Sequence, residues 1–235
     1  MSTVAWLAGA AAATQLAPAV LTIGPVRRRV APRLAGQGRP GHVALTFDDG
    51  PDPRSTPRFL TLLERYDVRA TFFLLGAHVA ESWRLVAEMA ERGHEVAVHG
   101  WDHRCTAAKR PGALADQVRR AADVVQRASG QHVERYRPPY GVLTAETFHA
   151  ARRAGLETVL WSAWGRDWEQ RATPASVVRT VDRTLTDGGT VLLHDTDRTS
   201  APRSWRVTLS ATEVLLQRWA DGGQPVGPLR EHQPN

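Results

Sequence analysis

After Gly41, short apolar segments alternate with longer segments of helical periodicity along the rest of this 235-residue chain. His42 to Asp48 places Val43, Leu45 and Phe47 on one face, which is the period of a strand. Strand and helix alternating in this way favours right-handed β-α units and a parallel sheet. With about seven such units, the pattern predicts an α/β protein whose sheet closes into a barrel rather than staying open.

Apolar runs, helical spacing and stop signals fix the predicted elements. Glycines at the ends of several helical segments are typical C-caps. The predicted strands are 42–48, 70–75, 95–98, 135–137, 156–162 and 190–194. The predicted helices are 57–66, 77–92, 113–129, 144–154, 175–186 and 209–220.

Polar, chemistry-bearing residues fall at or just after the C-terminal ends of the predicted strands. In β/α barrels this rim collects the catalytic residues, whereas structural polar residues would scatter over both ends. The pattern therefore predicts an active site at this rim. The residues concerned are Asp48, Asp49, His99, Arg137, Asp167 and His194.

Two histidines lie four residues apart, at His99 and His103. If the chain enters a helical turn there, both imidazoles point the same way and can share one metal ion. The chain has nine histidines, so such a pair also arises by chance. Two surface or capping histidines are therefore the alternative interpretation.

Two adjacent carboxylates, Asp48 and Asp49, follow the first predicted strand. Such a pair repels unless a cation takes one of them, so this segment offers a third metal ligand beside the two histidines. A polar turn before Gly50 and Pro51 is the competing interpretation. Cys105 is a further conceivable ligand, but a carboxylate already completes a three-ligand site with an open position for water.

Five motifs in order resemble the polysaccharide deacetylases, carbohydrate esterase family 4, over roughly residues 42–220. The resemblance implies a distorted, incomplete (β/α) barrel, with residues 42–235 as the catalytic domain. It also implies removal of N-acetyl groups from N-acetylhexosamine units of a glycan or glycoconjugate. The motifs are Thr-Phe-Asp-Asp-Gly-Pro at 46–51, His-x-x-x-His at 99–103, Arg-Pro-Pro-Tyr-Gly at 137–141, Asp-Trp at 167–168 and Leu-Leu-His at 192–194.

The same resemblance implies a role for each matching residue. The implied metal is most commonly Zn²⁺, with Co²⁺ or another divalent ion as alternatives. The implied metal ligands are Asp49, His99 and His103. Asp48 is the implied general base, and Arg137 is its charge partner. His194 is the implied general acid, and Asp167 is its paired carboxylate. The backbone N–H of Tyr140 is the implied donor to the oxyanion. The implied substrate-binding residues are Pro139, Tyr140, Trp168 and Leu192.

These residue types suit amide hydrolysis. A Lewis acid polarises the carbonyl and lowers the pKa of a bound water, whose proton Asp48 accepts. His194 as imidazolium supplies the proton that the leaving amine needs. O-deacetylation of an acetylated xylan-type polysaccharide would use the same site. A non-catalytic glycan-binding member of the family is a third interpretation. It is disfavoured because the implied base, acid and metal ligands are all present.

Two positions depart from the family pattern. Gly100 stands where family members often have Ser or Thr, which removes a hydroxyl that could brace a metal ligand. Trp164 stands where a further Asp is frequent. With Trp101, Trp161 and Trp168 it predicts an aromatic-rich site, and buried core tryptophans are the alternative.

The N-terminal segment, residues 1–41, is treated as a separate unit. Residues 4–26 carry no formal charge and end at Arg27, followed by Arg28 and Arg29. A membrane anchor with the following domain in the cytoplasm is favoured, and a signal peptide or a helix packed on the domain are the alternatives. Residues 34–41 are predicted to be a basic linker.

The net charge of +6 does not indicate a nucleic-acid partner. Residues 1–41 contain five arginines and no acid, which leaves 25 basic against 24 acidic residues in the remainder. A nucleic-acid-binding domain carries its basic patch on the folded domain. The single cysteine excludes an internal disulfide. The protein is expected to be a monomer and to act on an acetylated amino-sugar substrate.

Overall fold

The computed structural model describes residues 14–110 and 112–232. Its centre is a parallel sheet in the order β5-β4-β3-β2-β1-β7-β6, with β8 paired to the start of β1. The seven strands of this path form a curled half-barrel, which confirms the incomplete barrel that the family resemblance implies. The closure predicted from the alternation alone is wrong, because β5 and β6 do not pair. The strands are β1 Val43–Asp48, β2 Thr71–Leu74, β3 Glu95–Val98, β4 Arg135–Tyr136, β5 Glu157–Thr158, β6 Ala163–Trp164, β7 Thr190–His194 and β8 Val226–Gly227.

Helices cover the outer face of the sheet and connect the strands. Thr144 and Thr173 each begin a helix with a capping box. The α-helices are α1 Gly24–Val30, α2 Thr56–Arg65, α3 Gly76–Glu81, α4 Trp83–Glu91, α5 Ala113–Ser129, α6 Ala145–Arg153, α7 Pro174–Thr184 and α8 Ser204–Asp221. Short 3₁₀ helices occupy Ala17–Thr22, Thr106–Ala108, Pro139–Gly141 and Leu229–Glu231.

The two faces of β1 show how the sheet positions the site. Val43, Leu45 and Phe47 belong to the large core between sheet and helices. Residues of opposite parity face the barrel interior, because successive side chains in a strand point to opposite faces. On this face the side chains change from apolar Ala44 at the base to Asp48 at the C-terminal rim.

One predicted helix is divided in the structure, and one predicted strand is shorter than expected. The 77–92 helix breaks at Ser82, whose φ of −131° and ψ of 36° are not helical, so it ends α3 and caps α4. Of the predicted 156–162 strand only Glu157–Thr158 forms a strand, β5, and the next strand, β6, begins at Ala163. β5 and β6 are the two edges of the open sheet. Between them Leu160 donates its backbone N–H to the carbonyl of Leu34, 2.8 Å away, instead of to a strand.

The N-terminal segment lies over the opening between β5 and β6. Ala35 is fully buried, and the Thr190 hydroxyl donates to the carbonyl of Gly36 over 2.6 Å. Residues 34–38 therefore pack on the domain, while the linker at 34–41 and the boundary at residue 41 stay predictions. Residues 4–13 of the apolar stretch lie outside the described residues. Within 14–110 and 112–232, no helix is both long and apolar enough to cross a membrane.

Candidate active site

The C-terminal ends of the strands bring one carboxylate and two imidazoles together. The Nε2 atoms of His99 and His103 each lie 3.2 Å from Oδ1 of Asp49. One ligand atom from each of the three residues falls within 4.8 Å of the other two. The structure thus places the three residues expected to bind metal in one cluster.

The donor chemistry of this cluster fits a divalent cation. His99 donates its Nδ1–H to the carbonyl of Arg137 over 2.8 Å, which leaves the Nε2 lone pair facing Asp49. Oδ1 of Asp49 is buried and has no hydrogen-bond partner among the described residues. Two imidazole nitrogens and a carboxylate oxygen are a common ligand set for catalytic zinc.

Burial and charge set the protonation states of this cluster. Burial lowers the pKa of His103 to about 4, so its imidazole is neutral at pH 7, as a metal ligand must be. Burial raises the pKa of Asp49, but close contact with His99 and the charges of His194, His99 and His103 outweigh it. The pKa of Asp49 therefore lies well below its usual range.

A left-handed loop, and not the helical turn considered above, brings the histidines together. Gly100 has a φ of +98° and His103 a φ of +54°. Glycine adopts the positive φ of Gly100 more readily than residues with a side chain, so it suits this turn. Asp49, with φ +78°, and Tyr140, with φ +61°, are also left-handed, so backbone strain is concentrated around the site.

Asp48 is held by a buried arginine. Arg137 is fully buried and donates from Nη1 to Oδ1 of Asp48 over 2.6 Å and to the Thr46 hydroxyl over 2.8 Å. Its Nη2 donates to the carbonyl of Leu160. Burial lowers the pKa of Arg137, and the adjacent Asp48 opposes that shift. Oδ2 of Asp48 lies 3.8 Å from Nε2 of His99, at the rim.

His194 is paired with Asp167 on the opposite side of the cluster. Its Nδ1 lies 3.1 Å from Oδ1 of Asp167, and its backbone N–H donates to Oδ2 over 2.7 Å. Thr208 on α8 donates to the same Oδ2. Burial lowers the pKa of His194, but the charge of Asp167 raises it by a larger amount, so the pKa is about 10. Its Nε2 faces Asp49, 3.8 Å from Oδ2.

A cavity of about 220 Å³ joins these groups. Three indoles form one wall, because the rings of Trp161 and Trp164 stack at 6.3 Å and those of Trp164 and Trp168 meet edge-on at 5.5 Å. Tyr140 is 63% exposed and lies 4.6 Å from the ring of His103. The cavity is lined by Asp48, Asp49, His99, His103, Tyr140, Trp161, Trp164, Trp168, Leu192, His194, Thr199 and Ser200.

Two predicted site residues lie elsewhere. Trp101 packs against the core under the guanidinium of Arg120, 3.6 Å from its ring centroid, so only three of the four expected tryptophans reach the cavity. Pro139 is buried beside Gly100, outside the cavity lining.

Thr199, Ser200 and Thr208 were missed from the sequence. The Thr199 hydroxyl donates a short hydrogen bond to Oδ2 of Asp49. These side chains belong to the loop and helix after β7, where hydroxyl residues form no recognisable pattern. Only the folded chain shows which hydroxyls meet the buried carboxylates.

Comparison with known proteins identifies the family of this chain. The family model described as polysaccharide deacetylase matches residues 35–159. A chitooligosaccharide deacetylase from a Bradyrhizobium strain is 37% identical over 187 residues, which cover 75% of this chain and 84% of the relative. The chain therefore belongs to the polysaccharide deacetylase family of hydrolases, carbohydrate esterase family 4.

Other relatives differ in length and in activity. The peptidoglycan-N-acetylglucosamine deacetylase of Listeria monocytogenes is 36% identical over 159 residues, 68% of this chain but only 33% of that protein. A family 4 acetyl xylan esterase from Clostridium thermocellum, solved with a cobalt ion, superposes with a TM-score of 0.74 at 28% identity, over 81% of this chain and 89% of the other. A family 4 pseudoenzyme from Bacillus anthracis superposes with a TM-score of 0.73 at 27% identity, over 83% and 66%.

Proposed function

We propose that the protein is a metal-dependent deacetylase that removes N-acetyl groups from N-acetylglucosamine units of chitooligosaccharide or peptidoglycan. The observation that carries this proposal is that three groups of polar residues lie around one cavity. These are the Asp49–His99–His103 cluster, the Asp48–Arg137 pair and the His194–Asp167 pair. The curated relatives support the substrate class.

Asp49, His99 and His103 would hold the metal, with zinc as the first choice. A divalent ion in such a site supplies a Lewis acid that polarises an acyl oxygen and lowers the pKa of water. The Nδ1–H of His99, bonded to the carbonyl of Arg137, keeps that imidazole in the tautomer that binds metal through Nε2.

Asp48 is the proposed general base. Its Oδ1 is occupied by Arg137, so Oδ2 is the atom that accepts a proton from the attacking water. The buried guanidinium also fixes the carboxylate, which would otherwise repel Asp49. The backbone N–H of Tyr140 is proposed to donate to the developing oxyanion.

His194 is the proposed general acid. Nδ1 faces Asp167, so the proton on Nε2 is the one directed at the cavity. A protonated imidazole there can transfer its proton to the leaving amine nitrogen as the C–N bond breaks. Trp168 and Leu192 line the part of the cavity that would receive the acetyl methyl, and Pro139 would support Tyr140 from below.

The test measures acetate release from chitooligosaccharides, peptidoglycan fragments and acetylated xylan, with and without a chelator. Asp48→Asn preserves shape but cannot accept the proton, so turnover should fall by about 10²–10⁴-fold while bound metal is unchanged. Asp182→Asn, in an exposed ion pair with Arg218, is the matched control and should retain activity. Chelator-resistant turnover, or near-normal turnover by Asp48→Asn, would refute the mechanism.

An O-acetyl esterase is the second candidate, favoured by the likeness to the acetyl xylan esterase. Acetate release from acetylated xylan alone would establish it. Because the family also contains a pseudoenzyme, release from none of the substrates would favour a binding role. A monomeric state and membrane association through residues 4–26 stay predictions, tested by sedimentation and by membrane fractionation.

A further inference from the structure

The apolar wall of the cavity is larger than an acetyl group needs. One methyl group can be covered by Trp168 and Leu192. The wall continues through Trp164 to Trp161, whose indole packs over the position where a Cβ on Gly141 would lie. Three contiguous indoles offer an extended apolar surface, since each aromatic side chain buries on the order of 150–250 Å² when covered.

Strand register places part of this wall below the catalytic residues. His194 pairs with Asp48, and two residues earlier in β7 Leu192 pairs with Thr46 on one side and with Trp164 on the other. Two residues of strand correspond to about 7 Å. Leu192 and the origin of the Trp164 side chain therefore lie one layer deeper in the half-barrel than the base and the acid.

The direction of this deeper layer selects which part of the substrate reaches it. A scissile amide at the rim has two substituents on its carbonyl carbon, the sugar nitrogen and the acyl chain. The sugar of an oligosaccharide extends to neighbouring residues and must stay on the open side. The acyl chain is thus the group that points toward Leu192 and Trp164.

We propose that the site accepts N-acyl groups longer than acetyl, specifically N-propionyl and N-butyryl amino sugars. This inference rests on the proposed function and deepens it. Water adds to the acyl carbon, the C–N bond breaks, and the products are the amine and a three- or four-carbon carboxylate. Each methylene that becomes buried against the indoles contributes up to about fourfold in kcat/KM.

The wall is held in place from behind, so it acts as a fixed surface. Arg27 donates to the carbonyl of Trp161 over 2.9 Å, and its guanidinium lies 5.7 Å from the indole centroid. Arg137 lies 5.7 Å from the same ring on the side of the base. Trp168 contacts the ring of His194 edge-on at 5.4 Å, which joins the wall to the proposed acid.

The experiment compares kcat/KM on chitotetraose carrying N-acetyl, N-propionyl or N-butyryl groups. The expected result is a kcat/KM for the butyryl substrate equal to, or up to about 16-fold above, that for the acetyl substrate, because butyryl has two more methylenes. A butyryl rate at least tenfold below the acetyl rate would overturn the inference and leave the proposed deacetylase intact. Failure on all three substrates would instead refute the proposed function.

Trp164→Asp tests the wall directly, because it places a carboxylate on the acyl path. The ratio of butyryl to acetyl kcat/KM should fall at least tenfold, and Trp164→Phe should restore most of it. Trp83→Asp on α4, where the side chain is 54% exposed, is the matched control and should leave the ratio unchanged. An unchanged ratio in Trp164→Asp would contradict the inference.

A measurement on the unaltered protein covers the case in which Trp164→Asp does not fold. Acetate, propionate and butyrate are compared as product inhibitors of N-acetyl hydrolysis. The inhibition constant should fall stepwise with chain length if the carboxylate tail enters the apolar layer. Equal or rising constants would refute the inference independently of any substitution.

Discussion

The two oxygens of the Asp49 carboxylate have different surroundings. Oδ2 accepts the Thr199 hydroxyl, while Oδ1 faces the two histidines without a hydrogen-bond partner among the described residues. A hydroxyl on one oxygen fixes the carboxylate rotamer and leaves the other oxygen free for a cation. Thr199, in the loop after β7, therefore holds the Asp49 side chain in place through its hydroxyl, a group that Gly100 does not have.

Thr199→Val should weaken metal binding by about 10–100-fold, because groups that orient a ligand typically contribute that much to affinity. The dissociation constant for Zn²⁺ is measured by competition with a chromophoric chelator. Ser200→Ala, in the same loop and the same cavity wall, is the control and should bind Zn²⁺ normally. Equal affinities for Thr199→Val and the unaltered protein would show that the hydroxyl is dispensable.

The pair formed by the proposed acid His194 and Asp167 predicts how the rate of hydrolysis should depend on pH. The charge of Asp167 raises the pKa of His194 to about 10 against the opposing effect of burial. The protonated acid is therefore present at neutral pH and is lost as the pH rises through this pKa. Asp167→Asn should lower the pKa and move the basic limb of the kcat/KM profile to lower pH. A basic limb at the same pH in both proteins would exclude His194 as the acid.

At the scale of elements, the sequence pattern correctly predicted those strands and helices whose ends are determined by nearby residues. The 95–98 and 190–194 strands and the 113–129 helix match the structure at both ends. In α5 a left-handed Gly130 caps a strongly amphipathic segment. Such signals lie within one turn or one strand.

Long-range features could not be predicted in this way. The apolar run 156–162 predicts one strand, but the backbone N–H of Leu160 donates to the carbonyl of Leu34, more than a hundred residues away in the sequence. The hydroxyl of Thr199 meets Asp49 across a similar separation. The residues proposed as ligands, base and acid could be predicted because they lie at or just after a strand end, whereas Thr199 and Thr208 follow no such rule.

The docking of α1 depends on Arg27, a buried guanidinium without a carboxylate partner among the described residues. Burial lowers its pKa to about 10, and it donates to the carbonyls of Leu21, Thr22 and Trp161. Arg27→Met should reduce the free energy of unfolding by about 1–3 kcal/mol, because three partly buried hydrogen bonds from a charged donor are lost.

Thermal unfolding checks this prediction. A chain of this size loses about 2–4 °C in Tm per kcal/mol. Arg29→Met, two residues along the same helix with an exposed side chain, is the control and should leave Tm unchanged. The same Tm for both variants would mean that the N-terminal segment adds nothing to stability.

At the scale of the whole molecule, buried neutral histidines make the fold sensitive to acid. His94 is buried, accepts the backbone N–H of Ala70 at Nδ1, and packs edge-on against Phe72. Burial lowers its pKa to about 4, with Arg92 and other arginines adding to the effect. The unfolded chain therefore binds a proton between pH 6.5 and 4 that the folded chain excludes.

The free energy of unfolding should accordingly be highest above pH 6.5 and fall as the pH approaches 4, with up to about 3 kcal/mol from His94. His94→Asn retains an acceptor but does not titrate, so its urea-unfolding free energy should fall less steeply over this range. Measurements with a chelator present separate this effect from metal release. His149→Gln, at an exposed position, should behave like the unaltered protein, and identical slopes for all three would refute the assignment.

The sheet leaves β5 and β6 without a ladder between them, and residues 160–162 cross that interval hydrogen-bonded to Leu34, Arg27 and Arg28 of the N-terminal segment. A ladder ties neighbouring strands to one spacing and one register, so a change in one strand is transmitted to the next. Across this interval there is no such transmission. Trp161 lies in this interval and belongs to neither strand, so substitutions there can resize the pocket while the strands that carry the proposed ligands stay in place. Evolution can diversify the substrates of such an enzyme on one side of the molecule while its hydrolytic chemistry is inherited unchanged on the other.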